Sequence, residues 1–241
     1  MELLPFISVL FLVEFVRGAF LVSFLPTYAV DQLGFTVAAV GIAVSVHYLF
    51  DTFVKSVAGY LLDRLSIRLI INTGLLISLI GLYAMKNAFQ LWLLIAAAAL
   101  FAIGISPIWL ICLSKVTSQH RAAQMGILYT FWLVGLGSGP VIMNFVIDKS
   151  YNLSYWLMIG LWAAAWLLSL RINNRTESIP ETIALGKQLS MLWERLSGLG
   201  SLLPGMILQT AAAGILVPVL PGFASKKSSG CIIPNIHTFY S

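Results

Sequence analysis

Five titratable side chains interrupt apolar stretches where no loop is expected. They are Glu14 and Arg17, three residues apart, and His47, Asp51 and Lys55, each four residues from the next. Spacings of three and four place side chains on one face of an α-helix. Burial favours the neutral form of a carboxyl, whereas a neighbouring cation favours its anion. A carboxyl caught between the two can exchange a proton when its access to water changes. Glu14 and Asp51 are the carboxyls so placed. The structural alternative is a pair of self-contained ion pairs, Glu14–Arg17 and Asp51–Lys55, with His47 as a satisfied polar residue. Lys55 stands nearest a chain break, where its ammonium can reach the interface. Two tryptophans, Trp109 and Trp132, also fall inside apolar runs, where they either pack helices or offer a flat face to a ligand.

The elements that must position these groups belong to lipid rather than water. Of 241 residues, 59% are hydrophobic and 10% charged, with a mean hydropathy of +0.94. A soluble domain of this size carries about 25% charged residues. The net charge of +5 lies largely in short gaps between apolar runs, as basic cytoplasmic loops require, and no nucleic-acid partner is expected. Cys112 and Cys231 form no disulfide or metal signature, and no cofactor is implied. The start, Met1-Glu2-Leu3-Leu4-Pro5, lacks the basic region of a cleavable signal peptide, so the first apolar run is expected to be a retained helix.

A membrane-spanning helix needs roughly 20 mostly apolar residues. Seven segments meet this, at about 4–28, 37–61, 69–85, 90–113, 124–147, 154–171 and 199–222. Breaks are marked by Pro26, Asp31 and Gly34, by Asp63 to Arg68, by Lys86 and Asn87, by Lys115 to Arg121, and by Asp148 to Asn152. The gaps after spans two, four and six hold Arg64, Arg68, Lys115, Arg121, Arg171, Arg175, Lys187 and Arg195, against only Lys86 and Lys149 after spans one, three and five. Basic residues gather on the cytoplasmic side, which places the N-terminus there as well. Trp92 and Trp156, at the ends of spans, suit an interfacial belt.

Residues 172–198 form a cytoplasmic linker between the first six spans and the seventh. Ile183, Leu185, Leu189, Leu192 and Leu196 recur there at helical spacing, which fits a short amphipathic helix, with a disordered linker as the alternative. Leu21-Val22-Ser23-Phe24-Leu25-Pro26-Thr27-Tyr28-Ala29 matches Leu216-Val217-Pro218-Val219-Leu220-Pro221-Gly222-Phe223-Ala224 at five of nine positions. Spans one and seven thus look equivalent, as two parallel six-helix halves would make them. Residues 199–224 are therefore expected to be the first helix of a second half. Residues 225–241 are expected to be an atypical tail, and the chain a truncated gene product.

Gly59-Tyr60-Leu61-Leu62-Asp63-Arg64-Leu65-Ser66-Ile67-Arg68 resembles the loop signature of the major facilitator superfamily, Gly-x-Leu-x-Asp-Arg-x-Gly-x-Arg, with Ser66 in place of the second glycine. The resemblance covers residues 1 to about 224. It implies an all-α membrane protein: residues 1–171 as the six-helix N-terminal half, plus a seventh transmembrane helix. It also implies that Gly59, Asp63, Arg64 and Arg68 belong to a loop that latches the two halves. Gly135-Leu136-Gly137-Ser138-Gly139-Pro140 resembles the family's helix-five antiporter signature, carried by Gly135, Gly139 and Pro140, although Met143-Asn144 replaces the glycine pair that should follow. Small residues four apart equally serve close helix packing. In span four, Leu100 stands where drug–proton antiporters of the superfamily place an arginine four residues before a glycine, here Gly104.

Glu14-x-x-Arg17, Asp51, Trp109 and Trp132 together resemble the hydrophilic pocket of the glycolipid permease (flippase) group that serves lipoteichoic-acid synthesis. What the resemblance implies is a secondary transporter, not an enzyme, that works by alternating access in the bacterial plasma (inner) membrane. Its partners would be the lipid bilayer, the proton and a glycolipid or other small-molecule substrate. Glu14, Arg17 and Asp51, with His47 beside them, would handle headgroup and proton, and the tryptophans would stack on sugar. The alternatives are an efflux or uptake carrier for a small hydrophobic compound or metabolite, and a fragment without activity. A membrane-embedded enzyme finds no support, because His120 and His237 stand isolated outside the spans.

Overall fold

The computed structural model describes residues 3–172 and, beyond them, Gly186, Ser190 and Leu208. The expected seventh span, nearly all of the linker and the tail at 225–241 lie outside the described residues. Within them the chain forms six helices long and apolar enough to cross a membrane. We label them α1 (Leu4–Asp31), α2 (Val37–Arg64), α3 (Ile67–Lys86), α4 (Leu91–Ser114), α5 (Arg121–Ile147) and α6 (Tyr151–Leu170). One short 3₁₀ turn, Ser118–His120, leads into α5. The described residues contain no strand.

Helix starts follow from local chemistry. Thr36, Ser66 and Ser150 each accept a hydrogen bond from the backbone N–H three residues on, at 3.2, 3.3 and 3.4 Å, which satisfies one of the donors a helix start leaves open. After α1 the chain turns through Gly34, whose φ of 71° a residue with a Cβ rarely adopts.

Two helices run three residues past their expected span ends, within the marked breaks. Pro26 does not end α1, which continues to Asp31. A wider π turn over Ala19–Phe24 precedes the proline and accommodates its missing N–H. Thr27 Oγ1 donates to the carbonyls of Ser23 (2.8 Å) and Phe24 (3.1 Å) in the same turn. Helix α2 likewise runs on to Arg64, so Asp63 and Arg64 lie in its last turn and only Leu65 and Ser66 separate it from α3. The first span is longer than its apolar stretch by three residues, because hydrogen bonding continues past the point where hydropathy falls.

Helix α1 is the most buried of the six, packed against α5 and α6 and touching α4. Helices α3 and α4 pair along their lengths, and α2 lies against α4. Glycines set the tightest crossings. A Cβ on Gly104 would collide with the Gly74 carbonyl oxygen and with Ser78, so α3 and α4 meet backbone to backbone. Polar side chains finish these seams. Ser78 Oγ donates to the Phe101 carbonyl (3.0 Å) and Trp162 Nε1 to the Leu75 carbonyl (3.0 Å), tying α3 to α4 and α6. Long apolar side chains on α2 and α5, among them Phe53, Leu133, Val141 and Phe145, remain exposed, as lipid or another protein surface would require.

Candidate functional site: a buried ion cluster beside an aromatic trio

Helix α1 carries Glu14 and Arg17 into the interior, where they are 3% and 6% exposed. Arg17 Nη1 donates to Glu14 Oε1 at 3.4 Å, and Arg17 Nε stands 3.4 Å from Glu14 Oε2. The second approach has ion-pair distance without hydrogen-bond geometry, and neither Nε nor Oε2 has any other hydrogen-bond partner. A loosely bonded pair in a buried place is costly, and each atom left short would gain from a further polar group. The Arg17 guanidinium also stands 5.9 Å from the centre of the Tyr48 ring on α2.

Helix α2 supplies the second half of the cluster. Asp51, 5% exposed, accepts from Lys55 Nζ at Oδ2 (2.7 Å) and from Ser106 Oγ of α4 at Oδ1 (2.7 Å). Arg17, Glu14 and Asp51 lie near enough to act on one another electrostatically, while each ion pair closes within its own helix. His47 is fully buried, and its Nδ1 lies 3.2 Å from the Ala98 carbonyl. A carbonyl only accepts, so Nδ1 donates to it, and Nε2 has no hydrogen-bond partner. The imidazole packs against Phe101 (5.3 Å) and Tyr48 (5.4 Å). Its hydrogen bond goes to α4 rather than to either carboxyl.

Trp109 of α4 and Trp132 of α5 meet with ring centres 5.6 Å apart. Tyr129 closes the group, 5.1 Å from Trp109 and 6.3 Å from Trp132. Trp132 also lies beside the Glu14 carboxyl, so the aromatic trio adjoins the ion cluster. Charged groups thus abut flat, partly exposed rings.

The helix-five residues lie on the α1 seam. A Cβ on Gly135 would press on the Phe11 carbonyl and Glu14 Cβ, and one on Gly139 would collide with the Phe15 carbonyl. Pro140 carries no N–H for the Leu136 carbonyl, and that oxygen faces Gly18 of α1. These residues let α5 approach the very turn of α1 that bears Glu14. Of the loop residues, Gly59, Asp63 and Arg64 sit in the last turns of α2, and Arg68 lies exposed in the first turn of α3. Tyr48, Ser106 and Tyr129 were not among the sequence candidates. Ser106 stands in an apolar helix immediately before Pro107, which was a legible signal. Tyr129 offered only its spacing of three from Trp132.

The major facilitator superfamily model matches residues 6–230, and the chain belongs to that family of membrane transporters. The match extends over residues 199–224, the expected seventh span. The chain is 34% identical over 227 residues to the proton-coupled antiporter flippase LtaA of Staphylococcus saprophyticus, covering 90% of this chain and 54% of that protein. It is 33% identical to LtaA of Staphylococcus epidermidis and 32% identical to LtaA of Staphylococcus aureus, each over 90% of this chain and 55% of the relative. The chain therefore spans about half the length of these relatives. Its homology to the flippase group agrees with the resemblance drawn from the pocket residues.

Proposed function

We propose that this chain forms the proton-handling half of a secondary transporter that moves a glycolipid by alternating access in a bacterial plasma membrane, with the N-terminus in the cytoplasm. The observation that carries the reading is the pair of carboxyls, Glu14 and Asp51, buried in mid-span on two helices within one electrostatic cluster. A charged residue at the bilayer centre costs about 2.5–3.5 kcal/mol even on the lenient insertion scale. A static bundle would be cheaper with leucines. A carrier that loads and unloads a proton has a use for groups whose charge depends on which side they face.

The aromatic trio supports the substrate side of the proposal. Flat rings next to a carboxylate and a guanidinium suit a sugar headgroup, which presents apolar C–H faces and hydroxyls together. The names of the relatives, proton-coupled antiporter flippases, point the same way. In the proposed cycle, Glu14, Arg17 and Asp51 handle headgroup and proton while Trp109 and Trp132 hold the sugar. Gly59, Asp63, Arg64 and Arg68 would latch the half-structures, and Gly135, Gly139 and Pro140 would let α5 move against α1.

The test is transport by a full-length carrier bearing this first half, driven by a pH difference across proteoliposomes. Glu14→Gln and Asp51→Asn should each abolish glycolipid movement while expression stays near that of the unsubstituted carrier. Uphill transport by both variants under a pH gradient would overturn the assignment of the carboxyls. Transport of a small apolar compound in place of glycolipid would favour the efflux reading.

A further inference from the structure

Asp51 has two different neighbours on its two oxygens, and the difference decides what protonation does. Oδ2 faces the Lys55 ammonium at 2.7 Å. An ammonium has three donors and no acceptor, so a proton on Oδ2 would point at another donor. Oδ1 faces Ser106 Oγ at 2.7 Å, and a hydroxyl both donates and accepts. The same hydroxyl lies 2.5 Å from the Ala102 carbonyl, one turn back on α4. Ser106 therefore has two acceptors for its single proton, one of which needs that proton only while Asp51 is ionised. The other groups around Asp51 are His47 and Tyr48 on its own helix and Arg17 and Glu14 on α1. None of these makes a hydrogen bond to it that competes at Oδ1 among the described contacts.

We propose that Ser106 is a positioning residue whose hydroxyl holds α2 to α4 at Asp51 in both protonation states, so that proton uptake releases Lys55 and leaves the helix contact intact. The inference rests on the proton-coupled reading above. In the ionised state Ser106 Oγ–H donates to Oδ1. On uptake one proton from water bonds to Oδ1, and the new O–H donates to Ser106 Oγ. The serine proton turns to the Ala102 carbonyl. No covalent bond to carbon changes, and the net gain is one proton and one positive charge. Lys55 meanwhile loses its anion. Its side chain is about one-third exposed, so the ammonium can exchange a now neutral partner for water. The chemical event is thereby passed to a mobile cation and not to the helix seam.

The experiment uses the 241-residue chain in lipid nanodiscs, with infrared difference spectra recorded between alkaline and acid pH. The carbonyl band of protonated Asp51 is identified by its loss in Asp51→Asn. In the unsubstituted protein this band should lie in the range of a carboxyl whose O–H donates a hydrogen bond. Ser106→Ala should move it to higher frequency, because the O–H loses its acceptor, and Ser106→Thr should restore the original position. A band already at the free-carboxyl frequency in the unsubstituted protein overturns the inference without recourse to any variant. A band indifferent to Ser106→Ala overturns it as well. Should no Asp51 band appear at any pH, the proton-coupled reading of Asp51 falls, and this inference with it.

Discussion

Replacing Arg17 by leucine removes the charge partner of Glu14, whose Oε1 accepts from Arg17 Nη1, in a place where Glu14 is 3% exposed. Truncating one partner of a buried pair costs about 3–5 kcal/mol, because the remaining charge is left without compensation. The stranded carboxyl has one escape, which is to fold in its protonated form. Protonating an ordinary glutamate, which titrates near 4.3, costs about 3.7 kcal/mol at pH 7, so the defect is capped near that value. The sign follows directly. The folded variant holds a proton that the unfolded chain lacks, so acid favours folding, and the defect shrinks as pH falls from 7 towards about 4. Glu14→Gln combined with Arg17→Leu removes both charges and should fold within about 1 kcal/mol of the unsubstituted chain. Reversible unfolding in bicelles, measured at pH 7 and pH 5 for the two single variants and the double, reads all three quantities. An Arg17→Leu defect below about 1 kcal/mol, or one that does not shrink in acid, would refute the reasoning. Glu14 would then be solvated by water or lipid rather than held by Arg17.

Two further outcomes are expected. Gly104→Ala should cost about 1–3 kcal/mol, because its Cβ meets the backbone of Gly74 and Ser78, whereas Gly137→Ala, with open space around it, should change stability by less than about 0.5 kcal/mol in the same unfolding assay. Reporter fusions after Lys86 and Lys149 should report the outside, and those after Arg68, Arg121 and Arg175 the cytoplasm; a cytoplasmic signal at Lys149 would reverse the orientation.

The amino-acid sequence alone determined the class of this protein. Six spans were legible because a bilayer demands apolar runs of a set length, a one-dimensional property that needs no partner. The start of α2 at Val37 was read correctly, whereas α3 and α6 begin at Ile67 and Tyr151, ahead of the expected 69 and 154, because a capping serine starts a helix before the apolar run does. The shared faces of Glu14 with Arg17 and of Asp51 with Lys55 were legible, because helical spacing dictates them. Helix ends were less legible. The apolar run put the end of α1 at about residue 28, yet the helix, with its π turn before Pro26 and the Thr27 hydroxyl bonded back to Ser23, continues to Asp31.

Only the tertiary structure decided what those faces meet. Spacing within α2 could not show that Asp51 would bond Ser106, which lies 55 residues away on α4, or that His47 would spend its donor on Ala98. Nor could it show that Tyr129 would complete the pair of tryptophans, or that Gly139 would sit on the Phe15 carbonyl. A helix face is fixed by 3.6 residues per turn, but its partner is fixed by which side chains are small enough for two helices to close. In this chain the glycines at 18, 74, 104, 135 and 139 set those approaches, and the approaches bring the charges together.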